Sequence, residues 1–303
     1  MMMEIIKLST TNWNNVGPLT LTIGNFDGVH LGHQKLFNIV KSYKDTKSGA
    51  LTLDPHPQVL FGRDGFQTLL SIENKIELLK EENIDYLFIA DFNHDFASLS
   101  IDEFIQNLKD LGVVRMVIGR DARFAKNGSG TINDLKVHFD VVVVDDVIGS
   151  NHRISTSMIK ELLLKGELHS ANELLGYEYF IDGYVEHGNK VGKTLGFPTA
   201  NIQYKDSFLP KNGVYLVKFF IDSKMHFGIC NIGNNPTVNY SKTRKMEVYI
   251  LDYDKIIYDK IVRVSFVERI RDEMKFNSKE ELIDEMHNDE IISRNLIKSI
   301  KIW

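Results

Sequence analysis

The stretch Gly24-Asn25-Phe26-Asp27-Gly28-Val29-His30-Leu31-Gly32-His33 decides the fold of the first part of the chain. It follows a short apolar run at residues 20–23 and leads into a helical pattern over residues 33–43. Glycines let the backbone approach a ligand closely, and a new helix offers free N–H groups and its positive dipole end to phosphate. We therefore predict a strand, a tight phosphate-binding turn and a helix.

The same rhythm continues through the first half of the chain. Apolar runs without strict alternation occur at residues 50–54, 86–90, 113–119 and 141–147, and helical segments at 71–82 and 100–111 separate them. Ser100 and Glu103 form a capping box for the second of these helices. Buried strands that alternate with helices predict a Rossmann-like parallel sheet with flanking helices, whose ligands bind at the carboxyl ends of the strands.

The second half has a different rhythm. Apolar, β-rich runs at residues 213–222, 225–233, 245–253 and 260–270 are joined by Gly, Asn and Asp turns. This pattern predicts an antiparallel β-barrel, followed by a closing helix with a capping box of Ser278 and Glu281. A helical segment over residues 155–175 connects the halves. We place the boundary near residue 182, which gives domains 1–182 and 183–303.

Composition narrows the class of protein. The 303 residues have a net charge of −5, distributed as −8 over residues 1–182 and +3 over residues 183–303, so neither half resembles a nucleic-acid binder. Cys230 is the single cysteine, which fits a reducing compartment. The start of the sequence is not a signal peptide, and no apolar stretch is long enough to span a bilayer. We therefore expect a cytoplasmic protein without a membrane, nucleic-acid or obligatory protein partner.

His30 and His33 are the first candidate chemical groups. Their spacing places both rings on one side of a helical first turn, where they can hydrogen-bond phosphate and stabilise charge on a leaving pyrophosphate. The alternative is a tight turn with two surface histidines. A zinc site would need further ligands, and nothing in the sequence supports Asp54 or His56 in that role.

Three other segments are expected at the same edge of the sheet. Asp54-Pro55-His56-Pro57 ends the second strand, and Gly119-Arg120-Asp121-Ala122-Arg123-Phe124 leaves a later one. Ile154-Ser155-Thr156-Ser157-Met158-Ile159-Lys160 puts hydroxyls at a helix start and a cation one turn on. Each segment is ordinary by itself, but together they indicate a ligand site.

The second half contains a Gly-rich segment, residues 187–201, with the letters HGNKVGKTLGFPTAN. Its Gly-Lys-Thr is not a Walker A motif, because the glycine spacing is one residue short and Pro198 forbids the helix. Thr199 and Asn201 share one face of an extended segment and offer hard oxygen ligands to Mg²⁺. Glu247 lies in a strand pattern that leaves its facing open: it is either a solvated carboxylate or a general base in a pocket.

The chain resembles the bacterial bifunctional riboflavin kinase/FMN adenylyltransferase (FAD synthetase) family over nearly its whole length. GNFDGVHLGHQ is similar to that family's HxGH signature, and ISTSMIK to its ISSTxIR motif with Lys160 in place of arginine. DPHP and GRDARF resemble two further blocks, with Ala122 and Ala125 replacing an aromatic residue and a glycine. GKTLGFPTAN resembles the kinase block GRxLGxPTAN, with Lys193 in place of arginine, and the segments LPKNGVY and NIGNNPT resemble two more blocks.

For the first domain the resemblance implies in-line attack of the FMN phosphate on the α-phosphorus of ATP, which gives FAD and pyrophosphate. His30 and His33 would bind the ATP phosphates, and Asp54 would lie near the flavin phosphate or the metal. Ser155, Thr156 and Lys160 would clamp the pyrophosphate. The turn would contribute further ATP contacts from Gly24, Phe26, Gly28 and Gly32.

For the second domain the resemblance implies phosphorylation of riboflavin to FMN by Mg²⁺-ATP. Thr199 and Asn201 would hold the metal, and Glu247 would be the general base for the ribityl 5′-hydroxyl. Arg271 resembles a residue on the flavin side of the site. The phosphate contacts of the flap would come from Gly188, Gly192, Lys193 and Gly196.

Three alternatives differ in class. A monofunctional FMN adenylyltransferase would keep an inactive, flavin-binding kinase module, although Thr199, Asn201 and Glu247 argue against it. A non-catalytic flavin sensor would bind nucleotides without turnover. A nucleotidyltransferase that acts on a different phosphorylated substrate, such as a nicotinamide or pantetheine nucleotide, would have no use for the FMN that the kinase-like half would supply.

Overall fold

The computed structural model describes residues 2–62, 65–149, 152–187, 197–205, 207–234 and 244–300, with the backbone alone for His152. The chain divides into two compact units, Met1–Thr156 and Ser157–Trp303. The predicted boundary near residue 182 separates two activities rather than two compact units, so this division does not test it and it stays a prediction.

The first unit is a parallel sheet covered by helices. Its six long strands are all parallel and follow the order β1-β4-β3-β2-β5-β6, which confirms the predicted architecture. Along the chain its elements are β1 Glu4–Leu8, β2 Leu19–Ile23, α1 Leu31–Ser42, β3 Lys47–Asp54, α2 Pro57–Leu60, α3 Ile72–Glu81, β4 Tyr86–Asp91, α4 His94–Ala97, α5 Ile101–Asp110, β5 Val113–Gly119, a 3-10 turn Lys126–Gly128, α6 Ile132–Lys136, β6 Asp140–Val144 and the short strands β7 Ile148–Gly149 and β8 His152–Arg153.

The position of a strand within the sheet explains whether its sequence pattern predicts it. In β2, which lies inside the sheet, Leu19 through Thr22 are all buried, because helices cover both faces. Strand β1 lies at the edge, and most of its residues are exposed or half-buried. Its sequence therefore lacks a continuous apolar run, and the sequence patterns did not predict it.

The second unit is a closed antiparallel barrel with the order β10-β13-β12-β11-β14-β9, and this confirms the predicted barrel and closing helix. Its elements are α7 Thr156–Lys165, which starts at the last residue of the first unit, α8 Leu168–Leu175, β9 Phe180–Glu186, β10 Thr199–Tyr204, β11 Gly213–Ile221, β12 Lys224–Asn234, β13 Arg244–Ile250, β14 Ile261–Arg271 and α9 Lys279–Ser299.

The predicted helical segment over residues 155–175 is two helices. Gly166 separates α7 from α8 with a φ of +80°, a conformation that favours glycine. A Cβ at this position would lie 2.8 Å from Cδ of Arg269, so the close packing also requires glycine.

The two predicted capping boxes have different outcomes. At α5, Ser100 Oγ accepts from the Glu103 N–H at 3.2 Å, and the Glu103 carboxylate accepts from the Ser100 N–H at 2.8 Å. At α9, Ser278 Oγ accepts from the Glu281 N–H at 3.1 Å, but the Glu281 carboxylate accepts from the Asn277 N–H. Only half of the second box forms, because the side chain of Glu281 reaches one residue further back.

Within the described part of the chain, none of the helices has the combination of length and apolar character that crossing a lipid bilayer requires.

Gly183 provides a stability test of the barrel. A Cβ there would lie 2.4 Å from Cγ2 of Ile202 and 2.7 Å from the Gln203 carbonyl oxygen. We expect Gly183→Ala to lower the free energy of unfolding of the barrel by about 1–3 kcal/mol, the usual range for overpacking. Urea unfolding measures this change, with Lys224→Ala at an exposed position as the matched control. Equal stabilities of the two variants would contradict the tight packing.

Candidate functional site

The turn between β2 and α1 has a strained backbone. Phe26, Gly28 and Val29 have φ values of +47°, +86° and +39°. The buried Phe26 ring folds back over Gly24, where a Cβ would lie 2.8 Å from the ring atom Cε1. The turn therefore needs glycine at residue 24, and it delivers His30 directly to the start of α1.

The two histidines form one stacked pair. Helix α1 begins at Leu31, so His30 is the N-cap residue and His33 lies in the first turn. Their ring centroids are 3.6 Å apart with an interplanar angle of 18°, on one side of the helix start, as the spacing predicts. A Cβ at Gly32 would lie 3.0 Å from Cε1 of His30, which explains the glycine between them.

Burial makes both imidazoles neutral at pH 7. It lowers the pKa of His30 to about 4, and the charge of Arg153 lowers it further while a backbone hydrogen bond opposes the shift. Burial also holds the pKa of His33 well below its usual range, with added effects from His30, Lys75 and Arg153. Each ring therefore acts as a neutral hydrogen-bonding group rather than as a cation.

Several buried polar atoms around this turn lack hydrogen-bond partners among the described residues. Such atoms are rare in folded proteins and often mark places that a ligand fills. They are Thr22 Oγ1, Asn25 Oδ1, His30 Nδ1 and His33 Nδ1.

The structure joins the predicted hydroxyl segment to the turn. Thr156 Oγ1 donates to the Asp27 carbonyl oxygen at 2.8 Å, and Ser155 precedes it directly. Lys160 lies one turn on in α7 and belongs to the second unit, where its Nζ is 5.5 Å from the centroid of the Phe208 ring. Asp54 is the last residue of β3, at the carboxyl edge of the sheet.

The segment GRDARF lies at the same edge. Arg120 pairs with Asp145 at 2.5 Å, and both side chains are largely exposed. Ala125 has a φ of +61°, a conformation for which glycine is better suited than alanine. This strain accounts physically for the glycine that the resembling family has at the position.

Two basic residues of the first unit were missed by the sequence patterns. Arg153 pairs with Asp121 at 2.8 Å and with Asp146 at 3.1 Å, and its charge acts on both histidines. Its position next to the ISTSMIK segment was a signal for it. Lys75 is buried in α3, and a lysine in an amphipathic helix gives no such signal.

The second site is a row of polar side chains across the barrel. In the strand register Asn201 lies opposite Glu247, and Glu247 lies opposite Asn231 on its other side. Glu186 lies opposite Asn201, at the far end of the row. Directly opposite residues in antiparallel strands have Cβ atoms about 5 Å apart, so these side chains are neighbours.

The alternation of β13 decides the facing of Glu247. Met246, Val248 and Ile250 are buried in the barrel interior, so Glu247 points to the outer face together with Tyr249. Glu247 is half-buried there rather than fully solvated. Phe197 packs edge-on against Tyr249, with ring centroids 5.1 Å apart, and against His287 of α9, so this face borders the closing helix.

The sequence patterns missed Asn231 and Glu186 as members of this row. Asn231 lies within the predicted β-rich run of residues 225–233, and the structure confirms it as a strand residue of β12, but the sequence pattern did not indicate that it is paired with Glu247. Thr199 lies at the start of β10 on the same outer face as Asn201, because the two alternate with the buried Ala200. The predicted flap contacts lie outside the described residues, namely Gly188, Gly192, Lys193 and Gly196.

Arg271 is engaged with the closing helix. Its guanidinium makes two hydrogen bonds of 2.8 Å to the carboxylate of Asp289, and it also lies 3.3 Å from Glu285. Burial raises the pKa of Asp289, and the charge of Arg271 opposes this shift. The pair anchors α9 to the end of β14, and the flavin-binding role of Arg271 stays a prediction.

Comparison with known proteins matches two families to separate parts of the chain. A family model for FAD synthetase matches residues 14–158, and one for riboflavin kinase matches residues 175–297. The bifunctional riboflavin kinase/FMN adenylyltransferases of Listeria monocytogenes and Bacillus subtilis are 37% and 36% identical to the chain. The first alignment covers 93% of each chain and the second 89%. A crystal structure described as a macrolide-efflux protein from Streptococcus pneumoniae has a TM-score of 0.88 and 31% identity, and the match covers 96% of this chain and 99% of that one.

A parallel sheet with a histidine pair and a barrel with a carboxylate–amide row define a two-module flavin-nucleotide enzyme. The chain belongs to the bifunctional riboflavin kinase/FMN adenylyltransferase family, and the resemblance seen in the sequence is confirmed.

The low pKa of His30 predicts that the first unit loses stability in acid. Its folded pKa is below the unfolded value near 6.5, so the stabilisation is complete above pH 6.5 and declines as the pH falls toward 4. Between pH 7.5 and pH 5 we expect His30 to contribute a loss of about 2 kcal/mol.

Urea unfolding followed by the fluorescence of the buried Trp13, in a Trp303→Phe background, measures this loss. Over the same pH range, the decrease in the free energy of unfolding should be about 2 kcal/mol smaller in the variant His30→Gln than in the enzyme with His30. An unchanged pH dependence in this variant would show that His30 is not the titrating group.

Proposed function

We propose that each unit has its own ATP site and that the two sites act in sequence on one flavin. The enzyme phosphorylates riboflavin to FMN with release of ADP, and it adenylylates FMN to FAD with release of pyrophosphate. The chief support is that the two family models match separate parts of the chain, each of which holds one of the polar constellations. The family membership favours this bifunctional enzyme over a monofunctional adenylyltransferase.

In the kinase step Glu247 is the general base. Its carboxylate takes the proton of the riboflavin 5′-hydroxyl as that oxygen attacks the γ-phosphorus of ATP, and the bond to ADP breaks. Glu247 is favoured over Glu186 because it is half-buried between two amide side chains, whereas Glu186 is exposed at the end of β9. A carboxylate held among neighbours is better positioned than a solvated one.

The outer face of β10 fits a magnesium ion held together with ATP. Thr199 and Asn201 offer a hydroxyl and an amide oxygen on one face, and the Glu247 carboxylate lies across from Asn201. Hard oxygen donors of this kind suit Mg²⁺, which keeps the rest of its shell from water and phosphate. When bound, the ion would neutralise phosphate charge. The backbone of Gly188, Gly192 and Gly196 and the side chain of Lys193 would enclose the phosphates.

In the adenylyl-transfer step the FMN phosphate attacks the α-phosphorus of ATP directly, and pyrophosphate leaves. His30 and His33 donate hydrogen bonds to the phosphates as neutral rings, so they stabilise developing charge without releasing a proton. Gly24, Phe26, Gly28 and Gly32 shape the turn that receives ATP. Ser155, Thr156 and Lys160 bind the leaving pyrophosphate.

Two flavin contacts complete the proposal. Asp54, at the carboxyl end of β3, lies near the phosphate of FMN, and Arg271 lines the flavin side of the kinase site. We also place the enzyme in the cytoplasm, where ATP is available and the buried thiol of Cys230 stays reduced.

Replacement of Glu247 separates the two activities. We expect Glu247→Gln to lower FMN formation from riboflavin about 10²- to 10⁴-fold, the usual contribution of a general base, while FMN is still converted to FAD at the normal rate. Chromatographic separation of the flavins measures both rates. Glu186→Gln is the matched control and should keep riboflavin phosphorylation within about threefold of the wild type. If the control loses the activity instead, Glu186 is the base.

Replacement of His33 gives the reciprocal result. We expect His33→Gln to lower the conversion of FMN to FAD about 10²- to 10³-fold, because one preorganised donor to the phosphates is lost. Riboflavin phosphorylation in the same preparation should stay unchanged and serves as the internal control. A parallel loss of both activities would argue against separate sites.

A further inference from the structure

Lys75 is the only lysine or arginine among the described residues that is buried, with 4% of its surface exposed. It lies on the inner side of α3 next to the buried Asn74, and Ser71 caps the helix through a hydrogen bond from the Asn74 N–H. A lone ammonium is costly to remove from water, so its burial requires compensating charge.

Two carboxylates supply that charge. Burial lowers the pKa of Lys75, and the negative charges of Asp27 and Asp54 oppose the shift. Its Nζ also donates a hydrogen bond to Thr52 Oγ1 at 3.3 Å. Lys75 therefore lies within electrostatic reach of one carboxylate in the β2–α1 turn and of another at the carboxyl end of β3, and its hydrogen bond fixes it to β3.

Two of these neighbours, Asp27 and Thr52, make hydrogen bonds that connect different parts of the proposed adenylyl-transfer site. One carboxylate oxygen of Asp27 accepts from the Leu69 N–H at 2.8 Å, and its carbonyl oxygen accepts from Thr156 Oγ1. Thr52 Oγ1 donates to the Asn25 carbonyl oxygen at 3.1 Å. The ammonium thus lies where the β2–α1 turn, strand β3 and the segment with Thr156 meet.

The same ammonium is close enough to the histidine pair for its charge to act on His33. The other charged or titratable groups that act on this ring are His30 and Arg153. Lys75 is enclosed by protein, so its effect on a bound nucleotide would pass through these neighbours rather than through direct contact.

We propose that Lys75 is the positioning residue of the adenylyl-transfer site: its ammonium holds Asp27 and Asp54 in place and thereby fixes the turn that presents His30 and His33. This inference rests on the proposed function of the first unit. A buried ion pair that only stabilises the fold is the competing explanation, and it predicts normal turnover in every molecule that stays folded.

The test uses the full-length enzyme with FMN and Mg²⁺-ATP as substrates. Lys75→Met removes the charge, Lys75→Gln keeps a hydrogen-bond donor without the charge, and Lys75→Arg keeps the charge. Lys80→Met, at an exposed position of the same helix, is the matched control. All variants carry Trp303→Phe, so the fluorescence of Trp13 gives the folded fraction, and riboflavin phosphorylation in the same samples gives the active enzyme concentration.

We expect kcat for FAD formation to fall about a hundredfold in Lys75→Met, the effect of a displacement of about 1 Å at a reacting centre. KM for FMN and ATP should change less than about threefold, because positioning acts mainly in the transition state. The kcat of Lys75→Arg should be at least about tenfold higher than that of Lys75→Met, since arginine keeps the charge. If Lys75→Met does not fold, Lys75→Gln should show the same fall in kcat.

Three results would overturn the proposal. The first is a kcat per folded molecule within about threefold of the wild type in Lys75→Met or Lys75→Gln. The second is an equal loss in Lys75→Arg and Lys75→Met, since the charge would then be irrelevant. The third is a large rise in KM with an unchanged kcat, which would make Lys75 a substrate-binding group. A wild-type enzyme that makes no FAD from FMN would instead refute the proposed function itself.

Discussion

Burial of polar groups beneath the β2–α1 turn is the constraint on which the first site depends. The histidine pair, Asp27 and Lys75 are all largely removed from water, and burial is the largest cause of the low pKa values of both imidazoles. The turn can enclose them only because the Phe26 ring packs over Gly24 and the His30 ring packs over Gly32. The tight backbone therefore creates both the shape of the site and the neutral state of its hydrogen-bonding groups.

In the barrel, strand register rather than a tight turn positions the candidate site. Side chains along a strand alternate between two faces, so the burial of Met246 and Val248 leaves Glu247 on the outer face. Antiparallel pairing then sets that carboxylate between Asn201 and Asn231. A one-residue shift in strand register would turn the Glu247 side chain into the apolar interior. The packing of the core therefore also fixes the position of the proposed base.

The two sites match the charge changes of the two reactions. Phosphorylation of a neutral hydroxyl requires a proton acceptor, and the barrel has a carboxylate. The phosphate of FMN needs no deprotonation to attack, so its site requires positioning and donors to charge that develops on phosphate. Neutral imidazoles suit that proposed role, and the negative charges of Asp27 and Asp54 act on the buried Lys75 beneath the same turn.

The sequence by itself determined the parallel sheet, the barrel and the placement of both histidine rings on one side of the helix start, because apolar periodicity and short-range spacing are local properties. It missed the edge strand β1, whose half-exposed residues leave no apolar run, and it overstated the capping box at Glu281. Only the tertiary structure decided the facing of Glu247, the burial of Lys75 and the engagement of Arg271 with Asp289. Each of these depends on partners that are distant in the chain, and no local pattern encodes which distant carboxylate or strand a side chain will meet.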